Sequence, residues 1–326
     1  MGQKDPESRT PIQFVSQKSP VTLIFYRRPE RFLQVLRAVR GYRPETIYAI
    51  ADGATNADVE GQGQVRECRE MLAREINWPC RIERIFADNN LGLKERVESG
   101  LDRVFAATSF SIILEEDCVP RGEFFRFVES IREQWEGEEK IGAISGNCFL
   151  PASFPLSGDY FFSRYPHIWG WGTWARCWKK HDRSEAIWPL PGGLKGLWPN
   201  MSPKEIRYWE KVFGRVYGHQ LKTWDYRWLL SFWRNQWLAV TPRDNLVENI
   251  GFGEGATNTR DVDVNSGVER VGLMSFPLRH SRQVKLDQAA DQAVFINHYL
   301  RMEGKLSFWR RLRRSMGKRL AHFSSR

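Results

Sequence analysis

Between residues 20 and 115 one pattern repeats: a short apolar run rich in β-formers, then a segment with helical apolar spacing, then another run. The runs are Val21-Thr22-Leu23-Ile24-Phe25-Tyr26, Ile47-Tyr48-Ala49-Ile50-Ala51, Arg81-Ile82-Glu83-Arg84-Ile85-Phe86 and Ser111-Ile112-Ile113-Leu114. After the first, Pro29 opens a helix in which Phe32, Leu33, Leu36 and Val39 share one face, and Gly41 closes it. Further helices are expected near 64–76 and 93–106. Strands alternating with amphipathic helices give a parallel sheet with right-handed crossovers, so the expected class is α/β with a Rossmann-like open sheet. Such sheets bind ligands beyond the carboxyl ends of their strands.

Three polar clusters fall at those ends: Asp52-Gly53, Asn89-Asn90 and Glu115-Glu116-Asp117. Three adjacent carboxylates repel one another, and a hard divalent cation that also takes phosphate oxygens would relieve this. An isolated acidic triplet is more often a solvated turn, and here the strand-end position argues for the site. Asp52 would accept a hydrogen bond from a nucleotide base or ribose, or else form an Asx-turn before Gly53. Asn90-Leu91-Gly92 reads as a turn, and Lys94 behind it is either a phosphate ligand or a solvated lysine.

The second half is less regular, with helices near 122–136, 203–217 and 225–234, a strand near 140–146 and a long polar loop from 251 to 265. In Trp169-Gly170-Trp171-Gly172-Thr173-Trp174 the glycines permit close approach of a ligand and the Trp171 face can stack on a sugar, unless the segment is a tight structural turn. Asp225, between Trp224 and Tyr226, is a carboxylate among aromatics. Desolvation would raise its pKa toward the range of a general base, and it also suits a helix cap. His167 and His280 are each candidate third metal ligands, although a lone histidine is more often structural. Glu254 sits in a loop able to close over the site.

Composition narrows the class. The five cysteines lack zinc or CxxC spacing, which suggests free thiols and a reducing compartment. The first residues lack the apolar core of a signal peptide, and no apolar run reaches transmembrane length. The net charge is +10, but Lys305, Arg310, Arg311, Arg313, Arg314, Lys318, Arg319 and Arg326 supply eight of those charges in a tail without acids. The body is nearly neutral, so nucleic acid is not an expected partner. In 305–323, Leu306, Trp309, Leu312, Met316, Leu320 and Phe323 make one apolar stripe, the pattern of a basic amphipathic helix on an anionic membrane or of a helix packed on the body.

Val21 to Asp52, Asn90-Leu91-Gly92, and Ile113-Leu114-Glu115-Glu116-Asp117-Cys118-Val119-Pro120 with Phe124-Phe125 together resemble GT-A nucleotide-diphospho-sugar glycosyltransferases. The nearest resemblance is to bacterial glycosyltransferases often labelled haemolytic-protein-like. It extends through Ile144-Ser145-Gly146, residues 167–174, Trp224-Asp225-Tyr226 and residues 245–253, about 20–295 in all. The resemblance implies a GT-A fold with an open, mixed, mostly parallel sheet. The domain would span 19–300, with a nucleotide-binding half to 120 and an acceptor half from 121, between a disordered 1–18 and the 301–326 tail. It further implies a nucleotide-diphospho-sugar donor with Mn²⁺ or Mg²⁺, and transfer to an acceptor hydroxyl with inversion.

The triplet is similar to the Glu-Asp-Asp of Golgi enzymes that add N-acetylglucosamine to mannose. On that likeness Asp117 is the metal ligand, Glu115 and Glu116 face ribose and phosphate, and Asp225 is the catalytic base. Glu116 stands where Asp is usual, and Asn258 where His is expected, which shifts the second metal ligand to His280. With the tail, an acceptor on a lipid carrier or lipopolysaccharide at the inner face of a bacterial inner membrane fits. The alternatives are a sugar nucleotidyltransferase, disfavoured by the lack of glycines in Tyr26-Arg27-Arg28-Pro29, and an inactive scaffold docked to membranes.

Overall fold

A computed structural model of the chain describes residues 18–55, 57–251 and 272–301. Glu254, Asn258 and the 305–323 stripe lie outside the described residues, as does nearly all of the polar start.

In chain order the first half comprises β1 (Val21–Phe25), α1 (Pro29–Tyr42), β2 (Thr46–Ala51), α2 (Val59–Glu75), β3 (Arg81–Phe86), α3 (Leu93–Ala107), β4 (Phe110–Glu115) and β5 (Cys118–Pro120). There follow α4 (Gly122–Trp135), β6 (Ile141–Ser145), β7 (Tyr160–Ser163), β8 (Trp171–Trp174), α5 (Ala175–Trp178), α6 (Gly193–Leu197), α7 (Pro203–Tyr217), α8 (Asp225–Arg234), β9 (Leu238–Pro242), β10 (Val247–Asn249) and α9 (Gln288–Val294). Local chemistry sets several ends. Pro29 occupies the first turn of α1, where its missing N–H costs nothing, and Arg43 closes that helix in the left-handed region with its N–H on the Val39 carbonyl. Ser202 and Glu205 form a reciprocal capping box at the start of α7.

The eight strands of the main sheet run in the order β3-β2-β1-β4-β8-β6-β9-β7. β3, β2, β1 and β4 are mutually parallel, the Rossmann-like arrangement expected from the alternation. β8 enters antiparallel between β4 and β6, β9 runs parallel to β6, and β7 is antiparallel to β9. The result is an open, mixed, mostly parallel sheet flanked by helices. Apart from the edge strand β3, where only Ile85 is buried, its strands are buried on both faces, and Val21, Leu23, Ile47, Ile112, Ile113 and Ile144 are fully enclosed. No described helix is long and apolar enough to cross a membrane.

The aromatic-glycine segment is a central strand. Trp171 is fully buried, stacked near Trp224 at 5.9 Å between ring centroids and packed on Trp228 at 6.0 Å. An enclosed ring has no face for a sugar, so the stacking role expected of Trp171 does not hold in this structure. The glycines approach side chains of the protein itself: a Cβ on Gly172 would meet the Phe110 ring at 2.6 Å, and one on Gly170, at φ +61°, would meet Val247 at 2.6 Å.

Candidate active site

Parallel register aligns the carboxyl ends of the first four strands. Phe25 lies opposite Ala51, Ala51 opposite Phe86, and Ile24 opposite Glu115. Glu115 is the last residue of β4, and Glu116 and Asp117 turn the chain into β5. β5 pairs antiparallel with β10, and the Ile250 N–H donates to the Asp117 carbonyl at 2.8 Å. Gly251 then lies against the Asp117 side chain, where a Cβ would fall 2.3 Å from Oδ2. No rotamer change of a small group accommodates that overlap while Asp117 stays in place. Gly251→Ala is therefore expected to displace the Asp117 carboxylate. Any ligand that Asp117 holds should then bind at least tenfold more weakly while the fold survives, which calorimetry of the variant reads; wild-type affinity would show that Asp117 is dispensable.

The acidic triplet is not left to itself. Arg28 pairs with Glu116 through Nε and reaches Asp117 Oδ2 at 2.9 Å, and the Tyr26 N–H donates to Glu116 Oε2 at 2.6 Å. Burial opposes the Arg28 charge, but Glu116 and Asp117 outweigh it and raise its pKa above the ordinary arginine value. Arg28 was missed from sequence, where Tyr26-Arg27-Arg28-Pro29 stood out only for lacking glycines. The available signal was its place directly after β1, where a cluster of strand-end carboxylates needs a cation.

Asp225 joins this cluster from the other half of the chain. It opens α8, accepts from the Thr223 hydroxyl, and lies within electrostatic reach of Glu115. Burial lifts the Asp225 carboxyl to about 6, against backbone N–H donors of Tyr226 and its own residue that pull it down. Glu115 is raised well above the usual carboxylate range, first by burial and then by the charges of Asp117 and Asp225. Cys118 feels the same negative field. A strand-end acidic triplet and its arginine thus sit at one edge, with Asp225 within electrostatic reach of Glu115.

The other expected residues fall elsewhere or are already engaged. Asp52 is buried and accepts from the N–H groups of Gly53, Leu91 and Gly92 at 2.9, 2.9 and 3.0 Å, so it locks the turn after β3 to the end of β2. Asn90 donates to Tyr26 Oη at 3.0 Å and to the Gly53 carbonyl at 2.9 Å, on the same edge. Lys94 is half-buried and within electrostatic reach of Glu185. His280 does not join the triplet: its ring faces Ser130 and Tyr160, each at 3.4 Å, beside Asp159 and Glu133. His167 is buried among Phe149, Tyr165 and Tyr299 rather than carboxylates. Among the described residues no group of three His, Cys, Asp or Glu side chains is arranged to hold a metal ion. Glu115 and Asp117 supply hard carboxylate oxygens that suit Mg²⁺ or Mn²⁺ only where phosphate and water complete the coordination. A cavity of about 620 Å³ lies beside the edge, lined by Gly53, Arg69, Arg84 and Asp88 among others, and no residue of the triplet lines it.

No protein-family model matches the chain, and no curated protein sequence matches it. Among solved structures it is similar to residues 1–349 of TarS from S. aureus, with a TM-score of 0.40, 9% identity and coverage of 70% of this chain and 59% of that one. It is also similar to the mannosyltransferase PcManGT from Pyrobaculum calidifontis, solved with GDP-Man and Mn²⁺ (TM-score 0.33, 14% identity, coverage 48% and 45%). A third likeness is to a UDP-glucose pyrophosphorylase complexed with UDP-glucose (TM-score 0.29, 7% identity, coverage 50% and 78%). The chain thus spans about 59% and 45% of the first two proteins. Likenesses this distant carry no functional argument, and the reading of the site rests on its own residues.

Proposed function

We propose that the chain is a metal-assisted glycosyltransferase of the GT-A type. It would take a nucleotide-diphospho-sugar at the Glu115-Glu116-Asp117 edge and pass the sugar to an acceptor hydroxyl activated by Asp225. The observation that carries this reading is the acidic end of β4 on a Rossmann-like sheet, Glu115-Glu116-Asp117 with Arg28 on two of its carboxylates. Asp225, at the start of α8, lies within electrostatic reach of Glu115, and burial lifts its carboxyl to about 6.

Asp117 and Glu115 would hold Mn²⁺ or Mg²⁺ together with the donor diphosphate; the bound ion supplies charge stabilisation for the departing nucleotide. Arg28 stands ready to share that role, because a phosphate can take the place of Glu116 or Asp117 on its guanidinium. Asp225 accepts the proton of the acceptor hydroxyl as its oxygen attacks the anomeric carbon, on the face opposite the nucleotide. An α-linked donor then gives a β-linked product. A thermal-shift screen of UDP-, GDP- and CMP-sugars with and without Mn²⁺ tests the donor assignment, since ligands of the native state raise its apparent stability. A protein that responds to none of them would sink it.

The tail points to where the acceptor sits. Its apolar, Trp-bearing stripe over 305–323, flanked by basic residues, suits an anionic membrane face, each basic residue adding about 1 kcal/mol of attraction. A lipid-linked or lipopolysaccharide-type acceptor at the inner face of a bacterial membrane follows. Removing 305–326 should move the protein from membrane to soluble fractions and leave transfer to a soluble acceptor intact. Unchanged fractionation would refute the membrane role.

A second reading has one observation in its favour: Arg28 already satisfies Glu116 and Asp117, as in a binding or scaffold protein whose donor site has decayed. Hydrolysis of the bound donor with Mn²⁺ separates the two, because a scaffold shows none.

A further inference from the structure

The outer flank of the sheet carries the cavity of about 620 Å³ that the acidic triplet does not line. Its volume is in the range of small-molecule pockets. One wall is β3, the outermost strand at that end of the sheet, three strand spacings or about 14 Å from β4. The other wall is α2, where Gln62, Val65, Arg66, Arg69, Glu70 and Ala73 recur at helical spacing. Side chains alternate along a strand, so Ile82, Arg84 and Phe86 share one face of β3. The Arg69 guanidinium lies 4.8 Å from the centre of the Phe86 ring, so that face is the one turned to α2. Arg84 therefore occupies a strand face lying under a helix, a place where an apolar residue is the usual choice.

Three arginines thus line one space. Arg69 is fixed in position: its Nη2 donates to the carbonyls of Asp52 at 3.1 Å and Ala87 at 2.6 Å, while its Nε is buried without a hydrogen-bond partner among the described residues. Burial lowers the Arg69 pKa against the pull of Asp88 and Asp52, so the guanidinium is short of counter-charge. Arg66 and Arg84 are exposed and make no ion pair with any described residue. Like charges on facing walls repel, and an anion between them removes that cost. Guanidinium forks match the oxygens of a phosphate. Gln62, Glu70 and Asp88 line the same space. Their oxygens would disfavour a bare anion, but they accept hydrogen bonds from hydroxyl groups.

We propose that the cavity between α2 and β3 is a second ligand site, which takes a phosphate ester of a polyhydroxyl compound, the class of the sugar phosphates. Arg66, Arg69 and Arg84 hold the phosphate, and Glu70 and Asp88 accept from the hydroxyl groups. The site needs neither a divalent cation nor the acidic end of β4, so it stands independently of the glycosyl-transfer reading.

The test is calorimetry of the full chain in metal-free, phosphate-free buffer with glucose 1-phosphate, inorganic phosphate and glucose. The wild type should bind glucose 1-phosphate at least tenfold more tightly than inorganic phosphate, and glucose alone should give no heat. Arg66→Gln with Arg84→Gln removes two guanidinium groups that no described residue pairs, and leaves Arg69 holding the ends of β2 and β3. Thermal unfolding verifies that this variant is folded. Its affinity for glucose 1-phosphate should fall by about tenfold or more, the scale of lost charge-assisted hydrogen bonds. Arg37→Gln with Arg103→Gln removes the same charge from exposed positions that do not line the cavity and should bind as the wild type does. An equal loss in that control would reduce the effect to net charge and overturn the site. Loss of binding in Arg28→Gln, with the cavity variant unaffected, would move the phosphate to the acidic edge and overturn it as well. Equal affinity for glucose 1-phosphate and inorganic phosphate would overturn the ligand class, and a wild type that binds neither would overturn the site. None of these outcomes touches transfer of a sugar from a nucleotide donor with Mn²⁺, which the thermal-shift screen reads separately.

Discussion

On the proposed glycosyl-transfer reading, Asp225→Asn should lower turnover by about two to four orders of magnitude, the usual contribution of a positioned general base. Donor affinity should stay within a few-fold of wild type. The amide keeps the size and one accepting oxygen of the carboxyl but cannot take a proton from the acceptor. The pH profile gives the same residue a second signature. A base works only when ionised, and the Asp225 carboxyl titrates at about 6 because burial disfavours its charge. In the wild type kcat/KM should therefore rise as pH increases through about 6 and level off above it. The variant should lose that limb. Steady-state rates of both proteins from pH 5 to 8 decide the matter, and an Asp225→Asn enzyme with the wild-type rate would remove Asp225 from the chemistry.

The largest expected loss of stability lies away from the site. Asp291 in α9 is fully buried and accepts from Ser163 Oγ at 2.5 Å, from the Arg164 N–H at 3.0 Å and from Arg164 Nε at 2.8 Å. Arg164 is itself 1% exposed. Asp291→Ala strands that guanidinium without its main counter-charge, with only Glu205 at 3.9 Å. Removing one partner of a buried pair costs about 3–5 kcal/mol, because the remaining charge stays desolvated. Tm should fall by roughly 10 °C for a domain of this size. Replacing both, as in Arg164→Met with Asp291→Leu, should restore part of the loss, since the unpaired charge is gone while the Ser163 hydroxyl and the Arg164 N–H still lack their acceptor. Differential scanning calorimetry of the single and double variants checks both statements. A single variant within 1 °C of wild type would mean that water reaches Arg164.

How much of this was legible in the chain depends on the range of the interaction. The helix over 203–217 is local: Ser202, Pro203 and Glu205 fix its start, and its apolar face follows the helical period. The four parallel strands are nearly as local, each run being bounded by turn residues. Trp171 was misread because Trp-Gly-Trp-Gly looks the same from sequence whether the rings meet a ligand or the rings of Trp178, Trp224 and Trp228. His280 was misread because nothing in Pro277-Leu278-Arg279-His280 shows that Asp159 and Tyr160 lie beside it.

By itself the sequence determined the strand-helix alternation and thereby the edge where Asp52, Asn90 and Glu115 emerge, because periodicity and turn chemistry act over a few residues. It also supplied the acids, spaced so that one strand end carries three. Only the tertiary structure decided that Arg28 neutralises two of them, that Gly251 presses on Asp117, and that Asp225, about 110 residues away in sequence, comes within electrostatic reach of Glu115. Charge pairing and desolvation depend on distance in space, and folding alone sets those distances.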